Sequence, residues 1–347
     1  MLFLFPTVDV EGVHGVRPFE QMARGDIGAS EEWGALALAR IFAKYQLSAT
    51  FFVDVYESSL YGEEPVGRLC QELTSLGQDV ELHTHPSWRD DPRDFSFIRS
   101  LKRDRAFGVQ DKDFLYKCSL REQKIILEWG ISFLERWIGR KPIAHRAGGY
   151  GANEDTLRAL SKVGISIDSS MFEHPNCRLD LNRNCFDHRH GVVEVPITGF
   201  DRILNLHFGI KVMTRRYPFW RTDIDGCSLD DLLWYVDVAS GMEKGIMNLF
   251  MHSYSLLRFD HTFRWFRPDR EKRSLLEVFL KKVTGNKNVK IVSMSSFYDD
   301  YVIGKGSISL NDIKDVRSVR TIDVSALDVL ATRVRARIIR SIHQITG

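Results

Sequence analysis

The 347-residue chain lacks several features that would narrow its class at once. No run of about 18 consecutive apolar residues occurs, so a membrane-spanning helix is not expected. The opening segment, Met1-Leu2-Phe3-Leu4-Phe5-Pro6, has neither the charged leader nor the long apolar core of a signal peptide. A cytoplasmic location is the expectation. Cysteines number five (Cys70, Cys118, Cys177, Cys185 and Cys227), and none form a C-x-x-C pair. The odd count and the spacing speak against a disulfide framework or a cysteine-rich zinc site. Charge of one sign is also missing. The 48 basic and 46 acidic residues leave +2, which gives no general attraction to nucleic acid. Repeats and low-complexity segments are absent.

Apolar content is plentiful: 44% of residues are hydrophobic, enough for a large buried core. Short apolar runs alternate with longer helical patterns. Strands are expected at Leu2–Val10, Ala49–Val55, Val80–His83, Ile143–Ala147, Ile165–Asp168, Val192–Pro196, Ile246–His252 and Lys290–Ser293. Helices are expected at Glu31–Tyr45, Val66–Leu76, Leu120–Ile138, Glu154–Val163, Leu229–Val238 and Arg270–Val283. This alternation points to β/α units around a parallel sheet or barrel. Residues 88–117, 173–191 and 200–227 interrupt the rhythm and read as long loops over one face, where substrate recognition is expected. The tail differs again. Leu327, Leu330, Val334, Ile338, Ile342 and Ile345 recur at helical spacing. Asp323 and Asp328 precede Arg333, Arg335, Arg337 and Arg340, an order that suits a helix dipole. Either this helix packs on the barrel, or its basic face meets an anionic membrane or a protein partner. Residues 1–300 are thus assigned to the barrel and 301–347 to an amphipathic helical tail.

Four strand ends carry chemistry. Side chains at i and i+2 share one face of a strand, so Asp9 and Glu11 project together after the first strand. One carboxylate could hold a metal while the other takes a proton. His83 and His85 repeat the spacing in Glu81-Leu82-His83-Thr84-His85-Pro86, and neutral imidazoles ligate zinc and similar divalent ions. Arg146, in His145-Arg146-Ala147-Gly148-Gly149-Tyr150, can hold a carboxylate with its fork of donors. Asn153 suits a helix N-cap. His252 ends Asn248-Leu249-Phe250-Met251-His252 and is placed as a general acid.

In this order the segments resemble the polysaccharide deacetylase family, the NodB-homology carbohydrate esterases. Thr7-Val8-Asp9 is similar to its first motif, threonine-aromatic-Asp-Asp, and Ala49-Thr50-Phe51-Phe52-Val53 to its second-strand signature. His83-Thr84 is similar to the start of the metal-histidine motif, Arg146 to the third-motif arginine, and Met251-His252 to the late strand bearing the catalytic histidine. Ile167-Asp168-Ser169-Ser170 and Glu194-Val195-Pro196 also fit the order. The resemblance covers residues 1 to about 300. Val10 stands where the family has its second aspartate, Ser87 where it has its second histidine, and Gly148 where it has a proline after the arginine. The chain resembles a branch with an H-x-H-P-x-W pattern.

The resemblance implies a distorted (β/α) barrel of about seven parallel strands, a divalent ion, commonly zinc, and hydrolysis of an acetamido group on a sugar. It assigns Asp9 as base, Arg146 as its orienting partner and His252 as acid. The ion falls to Glu11, His83 and His85, and the reverse assignment of the two carboxylates stays open. His14, Trp88 and Tyr150 are candidate substrate contacts, and Phe200, Trp220 and Trp265 could also stack on sugar rings. A cytoplasmic or lipid-linked precursor of a surface polysaccharide fits a chain without a secretion signal. Competing readings are hydrolysis of another non-peptide C–N bond and a catalytically silent glycan-binding relative.

Overall fold

The computed structural model describes residues 1–12, 23, 32–86, 114–181, 184–208, 211–259, 266–303 and 318–325. In chain order the main elements begin with β1 (Leu2–Val10), α1 (Ala35–Lys44), β2 (Thr50–Asp54), α2 (Glu63–Ser75), β3 (Asp79–Thr84) and α3 (Leu120–Ile138). There follow β4 (Ala144–Ala147), α4 (Glu154–Val163), β5 (Ile167–Asp168), β6 (Asp187–Arg189) and β7 (Val192–Glu194). Then come β8 (Gly199–Phe208), β9 (Lys211–Arg221), α5 (Leu229–Ser240), β10 (Gly245–His252), β11 (Leu257–Phe259) and β12 (Phe266–Pro268). The last are α6 (Arg270–Thr284), β13 (Val289–Ile291) and β14 (Val319–Ser325).

Local chemistry sets these boundaries. Helix α3 starts at a capping box: Ser119 N donates to Glu122 Oε2 at 2.7 Å while Ser119 Oγ accepts from Glu122 N. The Asn153 side chain caps α4 as expected, accepting from Thr156 N at 3.0 Å. All nine residues of β1 are buried, the pattern of a parallel strand covered on both faces.

The strands form a curled half-barrel of the expected (β/α) type, in the order β10-β1-β2-β3-β4-β5-β7-β6. The first seven in this order pair in parallel, and β6 pairs antiparallel at the edge. Strand β1 has divided neighbours: Leu2–Leu4 pair with β13, whereas Thr7–Val10 pair with β2. Beyond β7, Thr222 N donates to Thr198 O and Phe250 N donates to Thr222 O, both at 3.0 Å, linking this side to β10.

On β1 and β10 the inward face passes from apolar and neutral residues to ionisable ones at the strand's C-terminal end. On β1 it runs Phe3, Phe5, Thr7, Asp9, with Glu11 next. On β10 it runs Ile246, Asn248, Phe250, His252. Phe3, Phe5, Phe52, Ile246 and Phe297 pack in one buried cluster that forms the floor. Charged groups therefore collect at the C-terminal ends of the strands.

Two expectations change. Residues 200–227, read as loop, hold β8 and β9, because Leu204, Leu206 and Phe208 alternate with Asn205 and His207. The stretch read as helical tail contains strand β14, which pairs in parallel with β8 from Val319↔Asp201 to Ser325↔His207. The helical pattern from Leu327 to Ile345 lies outside the described residues. Two compact units result, one of residues 1–198 and 221–316, the other of 199–220 and 317–347, a division that does not follow residue 300. Among the described residues no helix is long and apolar enough to cross a membrane.

Candidate metal centre

Strands β1, β3, β4 and β10 and the residues just beyond their ends bring together six of the residues singled out in the sequence. Asp9 and His252 are register partners on β1 and β10, and His83 and Arg146 on β3 and β4. Glu11, His83 and His85 each offer a donor atom, and these atoms lie within 4.8 Å of one another. Glu11 Oε2 is 2.6 Å from His85 Nε2 and 3.2 Å from His83 Nε2.

The tautomer of His83 follows from its other nitrogen. Nδ1 lies 2.9 Å from the Arg146 carbonyl, which can only accept, so Nδ1 carries the hydrogen. Neutral His83 then turns a lone pair on Nε2 toward the Glu11 carboxylate. Two acceptors 3.2 Å apart call for a proton or a cation between them. Two imidazoles and a carboxylate are the donor set of many zinc centres, so the residues present fit a divalent ion. Burial acts to raise the Glu11 carboxyl, but the charge and hydrogen bond of His85 hold it well below the usual carboxylate range. Gly148 explains how His85 fits: a Cβ at that position would lie 2.5 Å from His85 Cε1. The bare backbone gives the ring its space.

Asp9 is held from the other side. Arg146 is fully buried and donates through Nη1 to Asp9 Oδ1 at 2.7 Å. Its remaining donors reach Thr7 Oγ1 (3.1 Å), Ser169 O (3.0 Å) and Ser169 Oγ (2.8 Å). The guanidinium lies 4.3 Å from the Phe52 ring centroid and 5.2 Å from that of Phe250. With Oδ1 engaged, Asp9 Oδ2 sits 4.0 Å from His83 Nε2.

His252 closes the site. Its Nε2 is 3.6 Å from Glu11 Oε1, and its ring stacks on Tyr254 at 4.8 Å. Burial lowers its pKa; Glu11, Asp9 and Asp225 oppose that shift, and Arg221 adds to it. Tyr150 has a left-handed backbone (φ 62°) and its hydroxyl accepts from Arg221 Nη1. Burial pushes that hydroxyl up to about 12. His14, Trp88 and Trp265 lie outside the described residues, and Phe200 is buried.

Sequence reasoning missed several neighbours. Asp54, at the end of β2, is the register partner of His83. Burial pushes its carboxyl up to about 7, against the charges of His85 and His83. Glu57 accepts from Gly12 N at 2.6 Å and is raised well above its usual range, first by burial and then by Asp54. Tyr254 donates to Glu11 Oε1 at 3.3 Å. Asp225 accepts from Ser255 Oγ, whose oxygen accepts from His252 N, and pairs with Lys272 at 2.5 Å. The strand-end rule applied to β2 would have found Asp54, and the i, i+2 rule applied to His252 would have found Tyr254.

No protein-family profile matches the chain, and no curated protein matches its sequence. Among solved structures it is similar to a protein assigned as a polysaccharide deacetylase from Mycobacterium smegmatis, at 16% identity and a TM-score of 0.49, covering 85% of this chain and 88% of that one. An allantoinase is similar at 11% identity and a TM-score of 0.49, covering 86% and 90%. A family 4 carbohydrate esterase from Streptomyces lividans is similar at 12% identity and a TM-score of 0.38, covering 83% and 90%.

Proposed function

We propose that this chain is a divalent-metal hydrolase that removes the acetyl group from an N-acetylated sugar. The observation that carries the reading is the meeting of Glu11, His83 and His85 donor atoms within 4.8 Å, beside the Asp9–Arg146 pair and His252. Zinc suits two imidazoles and one carboxylate. When bound, such an ion supplies Lewis acidity toward the acyl carbonyl and a water whose pKa falls to about 7.

The residues divide the remaining work. Arg146 fixes Asp9 through Oδ1, so that Oδ2 faces the donor cluster and takes the proton of the attacking water. Glu11 is engaged by both histidines and serves as ligand, which favours Asp9 as base. His252, across the cluster, gives a proton to the departing sugar amine. Burial weakens its hold on that proton, which suits a donor to an amine. Tyr150 lines the substrate side, and His14 and Trp88 complete the proposed contacts. A cytoplasmic or lipid-linked precursor of a surface glycan is the proposed substrate class.

The test is elemental analysis of protein purified without chelator, paired with acetate release from N-acetylated sugar nucleotides and lipid-linked sugars. About one divalent ion per chain is expected, lost together with acetate release in His83→Ala/His85→Ala. Wild-type protein that binds no zinc or cobalt would remove the hydrolase reading.

A further inference from the structure

We infer that the second compact unit carries a docking surface for an anionic lipid bilayer. The inference concerns residues 199–220 and 317–347 alone and stands whether or not the barrel is a deacetylase.

Its sheet, β14-β8-β9, has two unlike faces. Successive strand side chains alternate between them. One face is polar: Asn205 Nδ2 donates to Asp323 Oδ1 at 3.1 Å, His207 Nε2 meets the same oxygen at 2.8 Å, and Thr214 Oγ1 donates to Asn205 Oδ1 at 2.8 Å. The opposite face takes Leu204, Leu206 and Phe208 from β8, with Met213 and Arg215 from β9. At Phe219 the backbone is left-handed (φ 48°), which inverts the alternation. Trp220 therefore joins the apolar face, 5.5 Å from the Tyr217 ring and 4.8 Å from the Arg202 guanidinium. Phe208 and Met213 are 51% and 42% exposed, and Val212 between them in sequence is 52% exposed. Large apolar side chains are thus concentrated in water at the adjoining ends of β8 and β9, with Arg215 two residues further along β9 and the Trp220–Arg202 contact at the far end of the same two strands.

Charge identifies the occupant. By sequence the second unit holds ten Lys and Arg against three Asp and Glu, a net +7, and its described strands alone hold five (Arg202, Lys211, Arg215, Arg216 and Arg320) against two (Asp201 and Asp323), a net +3. The whole chain carries +2, so the remainder carries −5. A surface that is apolar, aromatic and basic at once matches the interface of an anionic membrane. Acyl chains there accept Phe and Met, headgroup level accepts Trp and Tyr, and lipid phosphates accept Arg. With no spanning helix among the described residues, the attachment is peripheral and reversible.

The experiment is co-sedimentation of the full chain with phosphatidylcholine vesicles, with and without phosphatidylglycerol, at low and high salt. Binding to the phosphatidylglycerol vesicles is expected, weakening as salt rises. Arg215→Ala should reduce affinity about fivefold, the equivalent of about 1 kcal/mol for one basic residue near the surface. Phe208→Ser/Met213→Ser should reduce it by about tenfold or more. Both variants alter exposed side chains, so an unchanged melting curve will accompany the loss. No binding to either vesicle would overturn the inference. So would binding untouched by these variants but removed by deleting residues 326–347. A dimer in analytical ultracentrifugation that Phe208→Ser/Met213→Ser dissociates, without vesicle binding, would assign the face to a second copy and equally overturn it.

Discussion

Strands β3 and β4 each present a histidine to a different face of the sheet, and the two histidines live differently. Outward, His145 is fully buried and closed: Nδ1 meets Asp168 Oδ1 at 2.8 Å and Nε2 meets Thr84 Oγ1 at 3.0 Å. Ser170 Oγ donates to the same Asp168 oxygen at 2.9 Å. Burial, and then the Asp168 charge, push the neighbouring Glu194 carboxyl well above its usual range. Inward, His83 has Nδ1 fixed by a carbonyl while Nε2 faces Glu11 and Asp9. Both clusters contain histidine and carboxylate. What separates them is closure: every nitrogen of His145 has a partner suited to it, whereas His83 aims a lone pair at other acceptors. The inward cluster calls for a proton or a cation between its acceptors, whereas His145 has both ring nitrogens satisfied within the fold.

The contrast breaks most visibly at His252. Replacing it with Ala should leave bound metal in place and cut kcat by about 10²–10⁴-fold, as read by acetate release from the active sugar. Unchanged turnover would take His252 out of the chemistry. Gly148→Ala comes next. Its Cβ would press on the His85 ring, and displacing a ligand ring lowers metal affinity by about 10–100-fold, measurable by competition with a chelating dye. His145→Gln should do the reverse of both: metal and turnover persist, while unfolding free energy falls by about 1–3 kcal/mol because buried partners lose their donor or acceptor. Urea denaturation checks the loss. If His145→Gln instead released the metal, the division between the two faces would fail.

The smallest effect concerns pH. Glu81, two residues before His83, is buried and accepts from Ile143 N at 2.8 Å and Ala144 N at 2.7 Å. Burial, and then Asp79, raise its pKa from 4.5 to about 8, with Arg140 opposing. The folded chain therefore retains a proton that the unfolded chain releases. Stability from this group is complete below about pH 4.5 and is lost as pH rises through about 8. Glu81→Gln should remove that slope, so its melting temperature should gain on wild type between about pH 6 and about pH 9.

Much of the inward face was legible in the sequence because strand alternation acts locally. Asp9 with Glu11, and His83 with His85, need only the i, i+2 rule to be placed together. Helices α3 and α4 were legible to their end residues, since Ser119 and Asn153 cap them and apolar spacing runs unbroken between. The outward cluster was not legible. His145 meets Asp168 only through the β4–β5 register, and nothing near either residue announces that pairing. Strands β8 and β9 were missed for another reason. Their arginines and aromatic residues mask an alternation that Leu204, Leu206 and Phe208 do carry. Within β14, the same apolar and charged mixture was taken as the approach to a helix.

The pairing of β14 with β8 joins residues 118 positions apart, which has a consequence for biosynthesis. Strand β8 leaves the ribosome well before its partner, and at about 5–20 residues per second the wait is about 6–24 s. Throughout that interval one edge of β8 displays open backbone donors and acceptors beside Leu204, Leu206 and Phe208, the kind of edge that recruits strands from other chains. The nascent protein is therefore most vulnerable to misassembly after β8 has been translated and before β14 arrives. Truncation ahead of Val319 should turn that passing hazard into a permanent one.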